Sequence, residues 1–176
     1  MKIKKIMVIG AGQMGGGIAQ VAAQAGLQVI LNDIDMSMIE QRVAFIDKTL
    51  TRNVEKGKIT AEEQQETLAR LVPSTDLQDA ADVDFVVEAA TENMALKETI
   101  FRKLDEIARP DVILATNTSS LPITEIAAVT SRPESVIGMH FMNPVPVMVL
   151  VEVIRGIATS DEVSTIVEEL AIAMGK

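Results

Sequence analysis

Cysteine is absent from the 176 residues, which excludes disulfide scaffolds, thiolate zinc sites and cysteine nucleophiles together. Tryptophan and tyrosine are absent too, and four phenylalanines are the only aromatics, so aliphatic side chains must fill any core. Positive charge is scarce. Sixteen lysines and arginines stand against 25 aspartates and glutamates, a formal net charge of −9, which argues against nucleic acid or an anionic membrane as partner. An anionic ligand is left only with sites where backbone amides or a few basic side chains make a local exception. No run of 18 uninterrupted apolar residues occurs, so no membrane span is predicted. Lys2, Lys4 and Lys5 ahead of an apolar run, with Ala23-Gln24-Ala25 beyond it, imitate a signal peptide. Gly10, Gly12, Gln13 and three glycines at 15–17 break that run and speak against it. What remains, 48% hydrophobic and 23% charged, is a globular composition in a chain long enough to bury a core. The lack of cysteine fits a cytoplasmic enzyme.

Apolar runs alternate with longer amphipathic segments, the pattern of βαβ units around a parallel sheet. Strands are predicted at 6–9, 28–31, 84–87, 112–115, 136–139 and 149–154, and helices at 14–25, 37–55, 60–71, 94–107, 123–129 and 161–174. The helices at 37–55 and 60–71 are interrupted by Lys56-Gly57-Lys58, and Thr60 with Glu63 forms a capping box. The strands at 136–139 and 149–154 are joined by about ten residues, short for a parallel crossover, so this pair is predicted antiparallel. The expected fold is therefore α/β: a Rossmann-like, doubly wound, mostly parallel sheet with one antiparallel strand near the C-terminus and a helical-hairpin insertion. No repeat or linker divides the chain, so residues 1–176 are expected to form one domain. The sequence stops at Gly175-Lys176, just where a helix has ended, and the expectation is an N-terminal portion of a longer protein.

Gly10-Ala11-Gly12-Gln13-Met14-Gly15 is a G-x-G-x-x-G element with a strand before it, a helix opening from it and an acid at the end of the next strand. In this context the first glycine makes the tight turn, the second lets the backbone approach a pyrophosphate, and the third lets helix and strand pack closely. The pyrophosphate would sit on the helix N-terminus, with Gln13 and Met14 in its first turn. Asp33 lies 18 residues beyond Gly15, the place for a carboxylate on the adenosine ribose. Ile34-Asp35-Met36 brings no cation to meet a 2′-phosphate, so NAD is predicted over NADP. The bland alternative is a glycine turn that binds nothing.

His140, the only histidine, falls at the carboxyl end of a strand, the edge where open α/β sheets bind ligands. If the following strand returns antiparallel, Glu152 lies beside it and can hold the imidazole as an acid orients a catalytic base. A structural histidine is the competing reading. Ser119, after Ala115-Thr116-Asn117-Thr118, reads equally as a hydroxyl for a substrate oxygen and as an N-cap for the helix near Pro122.

Asn117-Thr118-Ser119-Ser120-Leu121, His140-Phe141-Met142-Asn143-Pro144 and Leu150-Val151-Glu152-Val153 together closely resemble the 3-hydroxyacyl-CoA dehydrogenase family, nearest its short bacterial 3-hydroxybutyryl-CoA members. The resemblance runs from Ile6 to Lys176. It implies reversible, NAD-dependent oxidation of a short-chain (S)-3-hydroxyacyl-CoA to the 3-oxoacyl-CoA, such as acetoacetyl-CoA, with no metal. It implies His140 as base, Glu152 as its partner, Ser119 on the C3 oxygen and Asn143 in the active-site loop. It also places Asn117 along the cofactor, Glu92 and Lys97 near its nicotinamide half, and the helical pair around Lys56 toward coenzyme A. Lys56 and Lys58 then read as phosphate contacts, or more blandly as solvated lysines at a helix break. Members of the family continue into a helical domain that closes the cleft and makes a dimer or larger assembly, which this sequence does not contain. Met142 stands where a second phenylalanine is usual and Val149 where lysine is common. Two other readings stay open: an NAD(H)-binding module without catalysis, and a dehydrogenase for another β-hydroxy acid.

Overall fold

The computed structural model describes residues 2–176. Seven strands form one sheet in the order β3-β2-β1-β4-β5-β6-β7. They are β1 (Lys5–Ile9), β2 (Gln28–Asn32), β3 (Leu71–Ser74), β4 (Phe85–Glu88), β5 (Ile113–Thr116), β6 (Val136–Phe141) and β7 (Val151–Arg155). Neighbouring strands are parallel except β6 and β7, which run antiparallel as the short link required.

Helices cover both faces, which is why the strands read as unbroken apolar runs. In β1, Ile6 and Val8 join α1 (Gln13–Gln24), α2 (Met36–Glu55) and α6 (Asp161–Ala173) in one core. Met7 and Ile9 point the other way, into a second core with α4 (Met94–Ile107) and α5 (Ile123–Ala128). The α2–α3 hairpin, with α3 at Ala61–Ala69, is the predicted insertion. Its capping box is formed: Thr60 Oγ1 accepts from the Glu63 amide at 3.1 Å, and Glu63 returns a carboxylate oxygen to the Thr60 amide at 2.7 Å.

Most boundaries lie within a residue or two of expectation, and three differences have a physical cause or consequence. The helix predicted to Leu71 stops at Ala69, and Leu71–Ser74 pairs with β2 as an edge strand. Pro73 is tolerated there because an edge strand leaves one row of amides unpaired. Helix α2 starts at Met36 because Asp35 is its cap, accepting from the Ser37 amide at 2.9 Å. Strand β7 starts at Val151, which leaves Val147, Val149 and Leu150 exposed in the preceding loop. The strand order reverses between β1 and β4, and the carboxyl ends there open the crevice in which such sheets bind ligands. Among the described residues, no helix is long and apolar enough to cross a membrane.

Candidate functional site

The glycine loop bridges β1 and α1. Gly10 has φ +102° and donates its amide to the Asn32 carbonyl at 2.8 Å. A Cβ on it would stand 2.5 Å from the Ala89 carbonyl oxygen. At Gly15 a Cβ would overlap the Gly10 carbonyl oxygen and lie 2.8 Å from its carbon, so this glycine is what lets α1 close onto β1. Gly12 is different. It caps α1 without a side-chain bond, and no described atom lies within 4 Å of where its Cβ would be. The amides of Gln13, Met14 and Gly15 therefore begin the helix beside open space, with the positive end of its dipole. Asp33 closes the far side, accepting from the Ala11 amide at 2.8 Å. An uncapped helix start, room above Gly12 and a carboxylate at the end of β2 fit a dinucleotide's pyrophosphate and ribose.

Beside the loop is a cleft of about 320 Å³. It gathers Met14 from α1, Glu92 and Lys97 from the β4–α4 turn and α4, Asn117 and Ser119 after β5, and His140 and Asn143 from β6 and its loop. In the β6–β7 register His140 stands opposite Glu152, and His140 Nδ1 meets Glu152 Oε1 at 3.1 Å. A carboxylate only accepts, so Nδ1 carries hydrogen, and in the neutral ring Nε2 is then the nitrogen with the lone pair. The His140 side chain is 20% exposed and that of Glu152 51%, so the ring borders the cleft while its partner stays half in water.

The Ser119 hydroxyl does not cap a helix. Pro122 holds the cap position of α5, and it is Thr118 Oγ1 that accepts from the Leu121 amide. Ser119 instead gives its amide and hydroxyl to Glu92 Oε2 at 3.0 and 3.2 Å, while Thr118 donates to Glu92 Oε1 at 2.7 Å. Burial pushes the Glu92 carboxyl up. The bonds from Thr118 and Ser119 and the Lys97 ammonium outweigh it and hold the group below the ordinary glutamate range. Asn117 accepts from the Phe141 amide at 2.8 Å and donates its own amide to the Glu88 carbonyl, tying the ends of β4, β5 and β6.

Two features had escaped the sequence reading. Glu88 is fully buried at the end of β4, paired with Lys97 at 2.7 Å; its one signal was an acid closing an apolar strand. The second is a groove of about 610 Å³. Gly16 and Gln20 of α1 floor it, Arg42, Phe45 and Thr49 of α2 wall it, and residues 143–147 close its other side. Asn143 lines groove and cleft alike. Gln20 is buried there, and its Nε2 finds no partner among the described residues. No signal in the sequence joins these three segments. Lys56 and Lys58 lie outside both cavities, exposed at the far end of α2. Among the described residues no cluster of three or more acids or histidines is placed to hold a metal ion.

A family model described as 3-hydroxyacyl-CoA dehydrogenase, NAD binding domain, matches residues 5–176. A probable 3-hydroxybutyryl-CoA dehydrogenase of Bacillus subtilis is 56% identical over 176 residues, which is all of this chain and 61% of that protein. A 3-hydroxyadipyl-CoA dehydrogenase of Escherichia coli is 46% identical over 176 residues, 37% of its length. The crystal structure of (S)-3-hydroxybutyryl-CoA dehydrogenase from Ralstonia eutropha superposes with a TM-score of 0.97 at 47% identity, covering 99% of this chain and 62% of that one.

Proposed function

The chain belongs to the 3-hydroxyacyl-CoA dehydrogenase family as its NAD-binding domain, and from that premise we propose that it supplies the cofactor site and acid–base residues for reversible oxidation of a short-chain (S)-3-hydroxyacyl-CoA in the cytoplasm. The observation that carries this reading is the His140–Glu152 pair on the same cleft as Ser119, directly beside the glycine loop.

The loop amides and Asp33 would hold NAD, which when bound would supply the acceptor for the hydride from C3. His140 Nε2 takes the proton of the 3-hydroxyl, a role worth roughly 10²- to 10⁴-fold. Glu152 keeps the ring turned and stabilises the imidazolium that forms. Ser119 turns its hydroxyl from Glu92 to the C3 oxygen as charge develops there, while Asn143 shapes the rim. The groove begins at Ala11, Gly12 and Gln13, the end that the pyrophosphate would take. The remainder, between Gly16, Gln20 and α2, suits the long arm of a coenzyme A thioester, since the cavity's volume lies within the range of roughly 300–1,000 Å³ usual for ligand sites. Lys56 is seven residues beyond Thr49, so the groove wall of α2 leads toward it and Lys58. The Bacillus subtilis and Escherichia coli relatives are named for different acyl groups, yet each matches the whole of this chain. Acyl preference is then set largely outside it.

This chain spans about three fifths of the length of the first curated relatives. In the whole protein we expect a helical domain to complete the cleft and make a dimer or larger assembly. The exposed Val147, Val149 and Leu150 in the loop between β6 and β7 favour a second reading for the chain alone: it holds NAD(H) without turning over. The test adds acetoacetyl-CoA to the chain with NADH and follows NADH absorbance. Oxidation lost in His140→Ala supports the assignment, and oxidation unchanged in that variant overturns it. NADH bound without oxidation supports the second reading.

A further inference from the structure

Behind Lys97, which lines the cleft, lies a charged group for which the proposed chemistry has no use. Glu88 ends β4 with no exposure at all. Its carboxylate accepts four hydrogen bonds from three groups: Lys97 Nζ on Oε1 and Oε2 at 2.9 and 2.7 Å, Thr116 Oγ1 on Oε1 at 2.7 Å, and the Ala90 amide on Oε2 at 2.7 Å. Lys97, itself 1% exposed, gives a further bond to the Ala90 carbonyl at 3.3 Å. Its ammonium is then saturated. Glu92 Oε1 stands 3.8 Å from it, close enough for attraction but beyond a hydrogen bond. Stability alone does not call for such a pair, because apolar residues of similar volume often serve a buried position as well or better.

We propose that Glu88 is a positioning residue: it holds the Lys97 ammonium away from Glu92, and so leaves Glu92 free to hold Ser119 at the cleft. The charges explain why. Two carboxylates compete for one ammonium in a poorly screened space. With Glu88 present, Lys97 makes its short bonds on the far side, and Glu92 spends both oxygens on Thr118 and Ser119. Without that charge the nearest carboxylate to Lys97 is Glu92. Closing the 3.8 Å gap to Oε1, the oxygen that Thr118 holds, swings the whole carboxylate and draws its Oε2 off the Ser119 amide and hydroxyl. The functional consequence rests on the reading of Ser119 as the residue at the substrate's C3 oxygen; the positioning itself does not.

Amide hydrogen exchange in this chain, read residue by residue by NMR, separates the two. In Glu88→Gln the Ser119 amide should exchange at least tenfold faster. The Phe141 amide, bonded to Asn117, should keep its rate and report that the sheet is intact. In Glu88→Leu/Lys97→Met, with no ammonium left to pull on Glu92, Ser119 should return to within about threefold of the parent rate. A simple packing role predicts the opposite, with the double variant at least as fast as the single one. Unchanged Ser119 exchange in Glu88→Gln overturns the proposal, as does fast exchange in the double variant, which also decides the matter if the single variant does not fold. A protein that turns over acetoacetyl-CoA should lose at least tenfold in kcat with Glu88→Gln while KM for NADH moves less than twofold. Absence of turnover in the parent counts against the dehydrogenase reading and leaves the exchange result standing.

Discussion

The three glycines of the loop are set apart by what surrounds them, and two single-methyl substitutions test that difference. Gly15→Ala puts a methyl into the Gly10 backbone, with the carbonyl carbon 2.8 Å away. Backbone cannot step aside as a side-chain end can, so the cost belongs at the top of the overpacking range, about 3 kcal/mol. For a chain of this size that is a fall in Tm of roughly 6–12 °C. Gly12→Ala meets no described atom within 4 Å, and its φ of −75° with ψ of −167° suits alanine. Its Tm should stay within about 1 °C, since a methyl there adds neither overlap nor strain. Yet that methyl occupies the space above the helix start where the pyrophosphate must approach. It displaces anion–amide bonds worth about 1.5–3 kcal/mol apiece, so NADH affinity should fall at least tenfold. NADH fluorescence measures this without interference, because the protein has no tryptophan or tyrosine. Parent-like NADH affinity in Gly12→Ala would refute the placement of the pyrophosphate on these amides. An unchanged Tm in Gly15→Ala would refute the packing role.

Glu152→Gln keeps an acceptor for His140 but removes the charge. Because Glu152 is half exposed, water substitutes in part, and kcat should fall by roughly 10- to 100-fold, at or below the foot of the range for a group that itself moves the proton, with NADH affinity within twofold. Gln20→Leu removes a buried donor that has no partner, and should raise Tm by about 2–4 °C for about 1 kcal/mol; calorimetry of CoA binding should show roughly tenfold weaker affinity if the groove takes the CoA arm. The Glu92 carboxyl is held below its ordinary range by Thr118, Ser119 and Lys97 against the upward push of burial. Its contribution to stability is therefore complete above the ordinary glutamate range and is lost as pH falls through the lowered value. Thermal melts from pH 6 downward should show Glu92→Gln less acid-sensitive than the parent; equal slopes would remove Glu92 from the account.

Strands β1, β2, β4 and β5 were legible because each is buried on both faces and reads as an apolar run. Strand β3 was not, because Leu71-Val72-Pro73-Ser74 is short, contains proline and owes its existence to pairing with β2. The antiparallel β6–β7 pair followed from the length of one loop, and with it the placement of Glu152 opposite His140. The glycine loop was legible from spacing and context alone. Glu92, Lys97, Asn117 and Asn143 came from resemblance to a family, and the structure gathers them around one cleft. Glu88 went unseen for a physical reason: an acid at a strand end looks like the start of a loop until its burial is known. The groove was invisible because α1, α2 and residues 143–147 carry no shared pattern. The N-cap reading of Ser119 failed because the cap position of α5 is Pro122, and the nearby amide of Leu121 goes to Thr118 Oγ1 rather than to Ser119.

The first turns of α1 serve three surfaces at once, and one glycine separates two of them. Met14 borders the His140 cleft, whereas Gln13, Gly16, Gly17 and Gln20 border the groove, as expected when successive residues turn by a fraction of a helical turn. Gly17 is the point where the 143–147 loop rests on the helix: a Cβ there would stand 2.7 Å from Val145 Cβ and 3.5 Å from Pro146 Cδ. Gly17→Ala gains helix propensity of about 1 kcal/mol and loses about 1–3 kcal/mol to overpacking, so its Tm should change by only a few degrees. The loop must shift outward to make room, taking Asn143 and the groove wall with it, while the amides at the start of α1 stay where they are. NADH affinity should therefore hold within twofold, and CoA affinity should fall at least fivefold. Val145→Ala added to Gly17→Ala trims the β-branched side chain in contact and should recover most of that loss. If Gly17→Ala instead weakens NADH and CoA alike, the loop does not act as an independent wall, and the division of α1 into a cofactor end and a substrate side is wrong.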